Sequence, residues 1–202
     1  MPHTVLARTA ADLAAKYEGV VSRQTVERCV FESYTALRRT SRVHAHLTTL
    51  AGRFAADRLR ALAQSDGSVP KDVPEVLFVC VQNAGRSQMA AAIAAHLALG
   101  KVHVRSAGSK PTGEINPVAI QALRERGIDL TNAYPKPLDD RVVHAADVII
   151  TMGCGDTCPV YPGKRYEEWD VADPAGQPLA VVRDIRDDLT SRVSALLRQL
   201  NV

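Results

Sequence analysis

Val76-Leu77-Phe78-Val79-Cys80-Val81-Gln82-Asn83-Ala84-Gly85-Arg86-Ser87 is a short apolar run that ends on a cysteine and continues into a Cys-x5-Arg-Ser segment. Four consecutive apolar residues of this kind predict a strand buried on both faces. The stretch that begins at Ser87, SQMAAAIAAHLAL, is dominated by strong helix formers, so the segment in between is a loop from a buried strand into a helix. A loop in that position aims backbone N–H groups and a helix N-terminus at one point, which suits a tetrahedral oxyanion. Gly85 lets the backbone tighten, and Arg86 offers a planar fork that can hold two anion oxygens while staying charged. Val81, Gln82, Asn83, Ala84, Gly85, Arg86 and Ser87 are therefore the expected anion-binding residues. The same field should hold Cys80 as a thiolate at neutral pH, with Ser87 placed to hydrogen-bond its sulfur. An inert buried cysteine at a strand end is the bland alternative; the offsets of Arg86 and Ser87 argue against it.

The alternation of strand and helix continues after this point. Val102 to Arg105 predicts a second strand that runs into a Ser106-Ala107-Gly108 turn. Asn116 as N-cap, Pro117 at the first helical position and Gly127 just past the end delimit a helix. A helical stretch from Leu138 to Ala145 leads into the apolar run Val148-Ile149-Ile150, a third strand. Arg165 to Val171 supplies a fourth, and Pro178 to Leu200 a terminal helix. Such an order predicts a doubly wound α/β domain with a four-stranded parallel sheet over residues 73–202.

Ahead of it, Thr4 to Ala63 contains no proline and is rich in Ala, Leu and Arg. Val26, Cys29, Val30, Tyr34 and Leu37 follow amphipathic spacing, as do Leu47, Leu50, Ala51, Phe54, Leu59 and Leu62. Breaks at Gly19 to Arg23 and at Arg39 to Arg42 divide the segment into three helices. A polar linker, Ser65 to Pro70, closes it. The expected partition is a small three-helix bundle with its linker, 1–72, before the α/β domain, 73–202.

The net charge of +3 is too small to imply a nucleic-acid partner. Residues 1–72 carry +4 and the remainder −1, so the excess base lies in the helical part. Arg38, Arg39, Arg42, Arg53, Arg58 and Arg60 read as solvated helix faces. No apolar run is long enough to span a membrane, and Asp12, Lys16 and Glu18 interrupt the N-terminal stretch where a secretory signal would be apolar. The chain is expected to be cytoplasmic, where thiols stay reduced. Its cysteines, Cys29, Cys80, Cys154 and Cys158, then read as packed, catalytic or redox-active rather than as structural bridges. Cys29 lies in an apolar stripe and is expected to pack in a core. A C-x3-C pair without a second pair or nearby histidines is a poor zinc pattern, so no metal and no bound cofactor are expected.

Residues 75 to about 200 resemble the low-molecular-weight tyrosine phosphatase family. The resemblance rests on the Cys80 to Ser87 loop after the first strand, Ser106-Ala107-Gly108 after the second, and Asp173-Pro174 downstream. It implies that Asp173 is the general acid. Some members bind potassium near the loop; Asn83 and Ser106 match that pattern, but Ala91 stands where an acidic ligand belongs. The segment Thr151-Met-Gly-Cys154-Gly-Asp-Thr-Cys158-Pro159, with Tyr161-Pro-Gly and Asp173-Pro-Ala175-Gly176, is similar to the arsenate reductase branch. The aromatic residues with which the tyrosine phosphatases grip a phenyl ring near the Asp-Pro pair are replaced here by Ala175 and Gly176.

That resemblance implies arsenate as substrate. Cys80 attacks arsenic, Asp173 protonates the departing oxygen, Cys154 attacks the Cys80 sulfur, and Cys158 moves the disulfide to the Cys154/Cys158 pair. Catalytic roles are thus expected for Cys80, Arg86, Ser87, Cys154, Cys158 and Asp173. Thioredoxin is the expected electron donor, and mycothiol with mycoredoxin the alternative. Homodimerisation through the N-terminal helices is the expected use of that domain. Two other readings stay open: a phosphatase, if Cys154 and Cys158 are idle, and an arsenic-sensing protein whose basic helical domain contacts DNA or a partner.

Overall fold

In a computed structural model of the chain, residues 2–40, 46–153 and 159–202 are described. They divide into two packing units, one of residues 1–71 with 139–145, the other of residues 72–138 with 146–202.

The larger unit is built on strand β1 (Glu75–Cys80), all six residues of which are buried. Strands β2 (His103–Gly108), β3 (Val148–Met152) and β4 (Arg165–Glu168) complete a sheet of order β2-β1-β3-β4. Every pairing is parallel. Strands that lie between neighbours and are covered on both faces must be apolar throughout, which is why Val76 to Val79 and Val148 to Ile150 read as unbroken hydrophobic runs. Helices α4 (Arg86–Ala98), α5 (Pro117–Arg124) and α7 (Leu179–Gln199) belong to this unit. Their apolar sides join Phe78, Ile150 and Met152 in one core with Met89, Ile93, Leu123, Val182 and Leu189. Phe78 meets Trp169 with ring centroids 5.8 Å apart. The chain leaves β1 for β2 on one side and later returns to β3 on the other, so the carboxyl ends of the strands flank a topological switch point, where open α/β sheets bind ligands. Cys80 is the last residue of the strand at that point.

The structure corrects one expectation about this unit. Ser106-Ala107-Gly108 is not a turn but the end of β2, in register with Phe78, Val79 and Cys80. Local turn propensity loses to the ladder that β1 offers. Gly108 is needed for a close approach instead: a Cβ there would lie 2.7 Å from the Val81 carbonyl oxygen, nearer than a side chain can sit.

The smaller unit contains α1 (Pro2–Lys16), α2 (Arg23–Thr40) and α3 (Leu47–Ser65). Leu6, Val26, Val30, Leu37, Phe54 and Leu59 form its interior. Ser22 Oγ accepts from the Thr25 N–H at 3.2 Å and starts α2. By its packing α6 (Asp140–Ala145), which precedes β3 in the chain, belongs with these helices; Val142, Val143 and Ala145 are its buried residues.

A second correction concerns charge. Arg38, Arg39 and Arg53 are exposed as expected and Arg60 is half-buried, while Arg42 lies outside the described residues. Arg58 is only 7% exposed. It donates to Asp139 Oδ2 at 2.7 Å, Ser33 Oγ at 2.8 Å, Glu32 Oε2 at 3.1 Å and the Cys29 carbonyl at 3.3 Å. Its position in α3 follows Phe54 by one turn, so helical spacing places it on the apolar side. The acceptors that make that burial tolerable come from α2 and from the residue before α6.

Cys29 is buried in the same interior, with its sulfur 3.8 Å from the Ala55 carbonyl oxygen. Burial raises its thiol above the ordinary range, against the opposing charge of Arg58. We expect Cys29 to resist iodoacetamide at neutral pH until the protein unfolds, as read by mass spectrometry. A group whose proton is held more tightly in the folded state contributes fully below its free-thiol range and loses that contribution as the pH rises through the elevated folded value. Stability should therefore fall more steeply at alkaline pH than in Cys29→Ala; identical pH profiles would contradict this.

Candidate active site

The loop between β1 and α4 is held from outside by its own carbonyls. Those of Cys80, Val81 and Ala84 accept from the N–H groups of Ser109 (3.1 Å), Lys110 (2.8 Å) and Asn116 (2.8 Å). The Asn83 carbonyl accepts from Gln88 Nε2 at 3.2 Å. With the carbonyls occupied in this way, the loop has N–H groups left to offer an anion. Gly85, the N-cap of α4, provides no side-chain cap, so the first-turn amides of that helix are also available.

Asn83 takes a left-handed conformation, φ 52°, which asparagine tolerates better than most residues. Its N–H donates to Cys80 Sγ at 3.3 Å and its Nδ2 donates to Ser87 Oγ at 2.8 Å. Ser87 Oγ lies 2.9 Å from Cys80 Sγ. Since that hydroxyl already accepts from Asn83, its own proton is free to point at the sulfur. The Asn83 N–H and the Ser87 hydroxyl thus converge on Sγ. Asn83 Oδ1 accepts from Gln88 Nε2 (2.9 Å) and from the Lys136 N–H (3.0 Å). Lys136 Nζ donates to Ser106 Oγ at 3.2 Å. The oxygens expected to suit potassium are thus already engaged by an amide, a backbone N–H and an ammonium, and Ala91 adds no charge; the residues present do not fit that ion.

Arg86 donates through Nη2 to Asp173 Oδ2 at 2.9 Å and through Nη1 to the Val171 carbonyl at 3.4 Å. Asp173 Oδ1 accepts from the Ala175 N–H at 3.0 Å, and its side chain remains 55% exposed. Two glycines make the close fit around the arginine loop. A Cβ on Gly85 would meet Pro174 Cγ at 2.6 Å, and one on Gly153, φ 69°, would meet Arg86 Nη1 at 2.9 Å.

The structure therefore brings Cys80, Asn83, Gly85, Arg86, Ser87 and Asp173 together around one loop. Val81 and Gln82 lie on it, half-buried and exposed respectively. Cys154 and Cys158 lie outside the described residues, and Gly153, beside Arg86, is the residue before the first of them. Sequence reasoning missed the supporting parts: Gln88, Lys136, Gly153 and the second role of Asn116, whose Nδ2 donates to the Pro174 carbonyl at 3.0 Å. Only Asn116 left a signal, its place before Pro117, and that signal announced a helix cap.

A cysteine cradled by N–H and hydroxyl donors at a strand end, with an arginine and an aspartate at the loop mouth, defines a phosphatase-like protein that handles tetrahedral oxyanions with sulfur. Residues 75–202 match the family described as low molecular weight phosphotyrosine protein phosphatase, and residues 6–63 match the protein-tyrosine-phosphatase-like N-terminal domain. The chain belongs to the arsenate reductase branch of the low-molecular-weight phosphatase family. A Corynebacterium glutamicum thioredoxin-dependent arsenate reductase is similar over 100% of this chain and 98% of its own, with 46% identity and a TM-score of 0.90. An arsenate reductase solved in a phosphate-binding state covers 63% of this chain and 99% of its own at 34% identity and a TM-score of 0.58. The glutaredoxin arsenate reductase of Synechocystis sp. is 35% identical over 130 residues, 63% of this chain and 98% of the relative.

Proposed function

We propose that this chain reduces arsenate to arsenite with electrons from its own thiols, regenerated by thioredoxin. The observation that carries the reading is the environment of Cys80, whose sulfur receives donors from Asn83 and Ser87 beside Arg86 and Asp173. Arsenate binds to the loop amides and Arg86. Cys80 attacks arsenic, a sulfur–arsenic bond forms, and an oxygen leaves as water with the proton that Asp173 delivers, a step worth about 10²- to 10⁴-fold. Cys154 then attacks Cys80 Sγ. A disulfide forms, the sulfur–arsenic bond breaks, and its electron pair reduces As(V) to As(III). Cys158 attacks Cys154 in turn, Cys80 leaves as a thiolate, and a thioredoxin dithiol reduces the Cys154–Cys158 disulfide.

Exposed Ala175 and Gly176 beside Asp173 support a small oxyanion over an aryl ester. Gly153 lies against Arg86 and immediately precedes Cys154 in the sequence, which supports Cys154 as the second thiol. Mycothiol with mycoredoxin is the alternative donor. The domain partition at residue 72, a cytoplasmic location and a homodimer through the N-terminal helices belong to the same reading. No described helix is long and apolar enough to cross a membrane.

The test is arsenate-dependent NADPH oxidation with thioredoxin and thioredoxin reductase. Cys154→Ser should show no turnover, and Cys158→Ser a loss on the order of 10²-fold or more, since each removes one link of a serial exchange. If mycothiol and mycoredoxin restore Cys158→Ser, that donor replaces thioredoxin. Undiminished arsenate reduction in Cys154→Ser would overturn the relay, and p-nitrophenyl phosphate turnover untouched by both substitutions, without arsenate reduction, would make the protein a phosphatase.

A further inference from the structure

We infer that Asn116 is a positioning residue for the general acid, the contact that keeps the Asp173–Pro174 turn docked on the anion loop when the substrate shares Arg86. The inference rests on the arsenate-reducing reading above.

Each polar group of Asn116 has its own partner. The backbone N–H donates to the Ala84 carbonyl of the anion loop at 2.8 Å. Nδ2 donates to the Pro174 carbonyl at 3.0 Å. Oδ1 accepts from the N–H groups of Val118 (2.9 Å) and Ala119 (3.2 Å), capping α5. One residue therefore ties the anion loop, the acid turn and a helix N-terminus to one another.

Among the described residues, the other polar ties from the anion loop to that turn run through Arg86, to Val171 O and Asp173 Oδ2. Both use the guanidinium, and a bidentate oxyanion needs two of its parallel N–H groups. Arsenate and Asp173 thus share Arg86, and the positive charge that holds the acid turn is partly neutralised by substrate at the moment the acid must be in place. Asp173 Oδ1 keeps its bond to Ala175 N–H, but that bond is local and orients the carboxyl only within its own turn. The bond from Asn116 to Pro174 reaches the turn from α5 and is independent of Arg86. A misplacement of about 1 Å can cost 10²-fold in rate, which is the scale at which this bond matters.

Asn116→Asp and Asn116→Ser each retain an oxygen that can cap α5 and the backbone N–H to Ala84, and each removes the amide Nδ2 that reaches Pro174, the serine hydroxyl being one atom shorter; the serine adds no charge. With reduced full-length protein, the single-turnover rate of arsenite formation from arsenate should fall about 10- to 100-fold in both. Affinity for inorganic phosphate should stay within about twofold in Asn116→Ser, because the amides and Arg86 are untouched and no charge is added; Asn116→Asp is compared by rate alone. In an Asp173→Asn background the same substitutions should cost less than about twofold, since no acid remains to be placed. Parent-like rates in both variants, a matching loss of phosphate affinity in Asn116→Ser, or the full cost persisting in Asp173→Asn would each overturn the positioning role alone. Asp173→Asn as fast as the parent would overturn the acid assignment itself, and this inference with it.

Discussion

Cys80→Ser should form no detectable arsenite from arsenate, a loss of at least about 10⁴-fold, while binding inorganic phosphate nearly as well as the parent. The two halves of this expectation have separate causes. Anion binding is assigned to loop amides and Arg86, and the loop is kept in shape by the carbonyl bonds to Ser109, Lys110 and Asn116; a serine oxygen disturbs none of these. Reduction needs an atom that can bond to arsenic, then to a second sulfur, and finally leave as an anion. A hydroxyl can at most form an ester with the oxyanion; it cannot go on to bond a second sulfur and leave as an anion at neutral pH. The Asn83 N–H and the Ser87 hydroxyl contact the sulfur but cannot substitute for it. Isothermal titration with phosphate and a direct assay of trivalent arsenic check the pair of outcomes. Retained binding with lost reduction identifies Cys80 as the reacting atom; loss of both would mean that the substitution had collapsed the loop, and substantial arsenite formation would sink the mechanism.

Arg58→Met should lower global stability by about 3 kcal/mol, at the lower end of the range for breaking a buried ion pair. Methionine fills a similar volume, so the cost is not that of a cavity. It arises because fully buried Ser33 loses its donor and Asp139, 16% exposed, keeps only the Arg141 N–H and a looser ion pair with Arg141 at 3.9 Å. Glu32 contributes little, since 44% of its side chain is exposed. Arg39→Met, at an exposed position on α2, should change stability by no more than about 0.5 kcal/mol. Denaturant midpoints compare the two. Equal midpoints would show that Arg58 is no more than another surface arginine. Arg58→Met combined with Asp139→Leu should recover part of the loss, because removing both charges is cheaper than stranding one.

The structural consequence of the Arg58 cluster extends along the chain. Asp139 directly precedes α6, and α6 packs with the N-terminal helices although it lies in the middle of the residues that match the phosphatase family. A chain cut at residue 72 would part α6, with its buried Val142, Val143 and Ala145, from the helices it packs with.

Sequence alone determined the elements that obey short-range rules. The run from Val76 to Ser87 specifies a buried strand, an anion loop and a helix because apolar patterning, glycine and helix propensity act over a few residues. Asn116-Pro117 specifies a helix start for the same reason, and the strand and helix alternation leaves a parallel sheet as the way to cover every apolar face. Tertiary structure decided the rest. Ser106-Ala107-Gly108 is strand because β1 supplies its partners, Arg58 is interior because Asp139, 81 positions away, accepts its hydrogen bond, and Asn116 reaches the acid turn across 58 positions. Such bonds depend on which surfaces meet after folding, and no local spacing records that meeting.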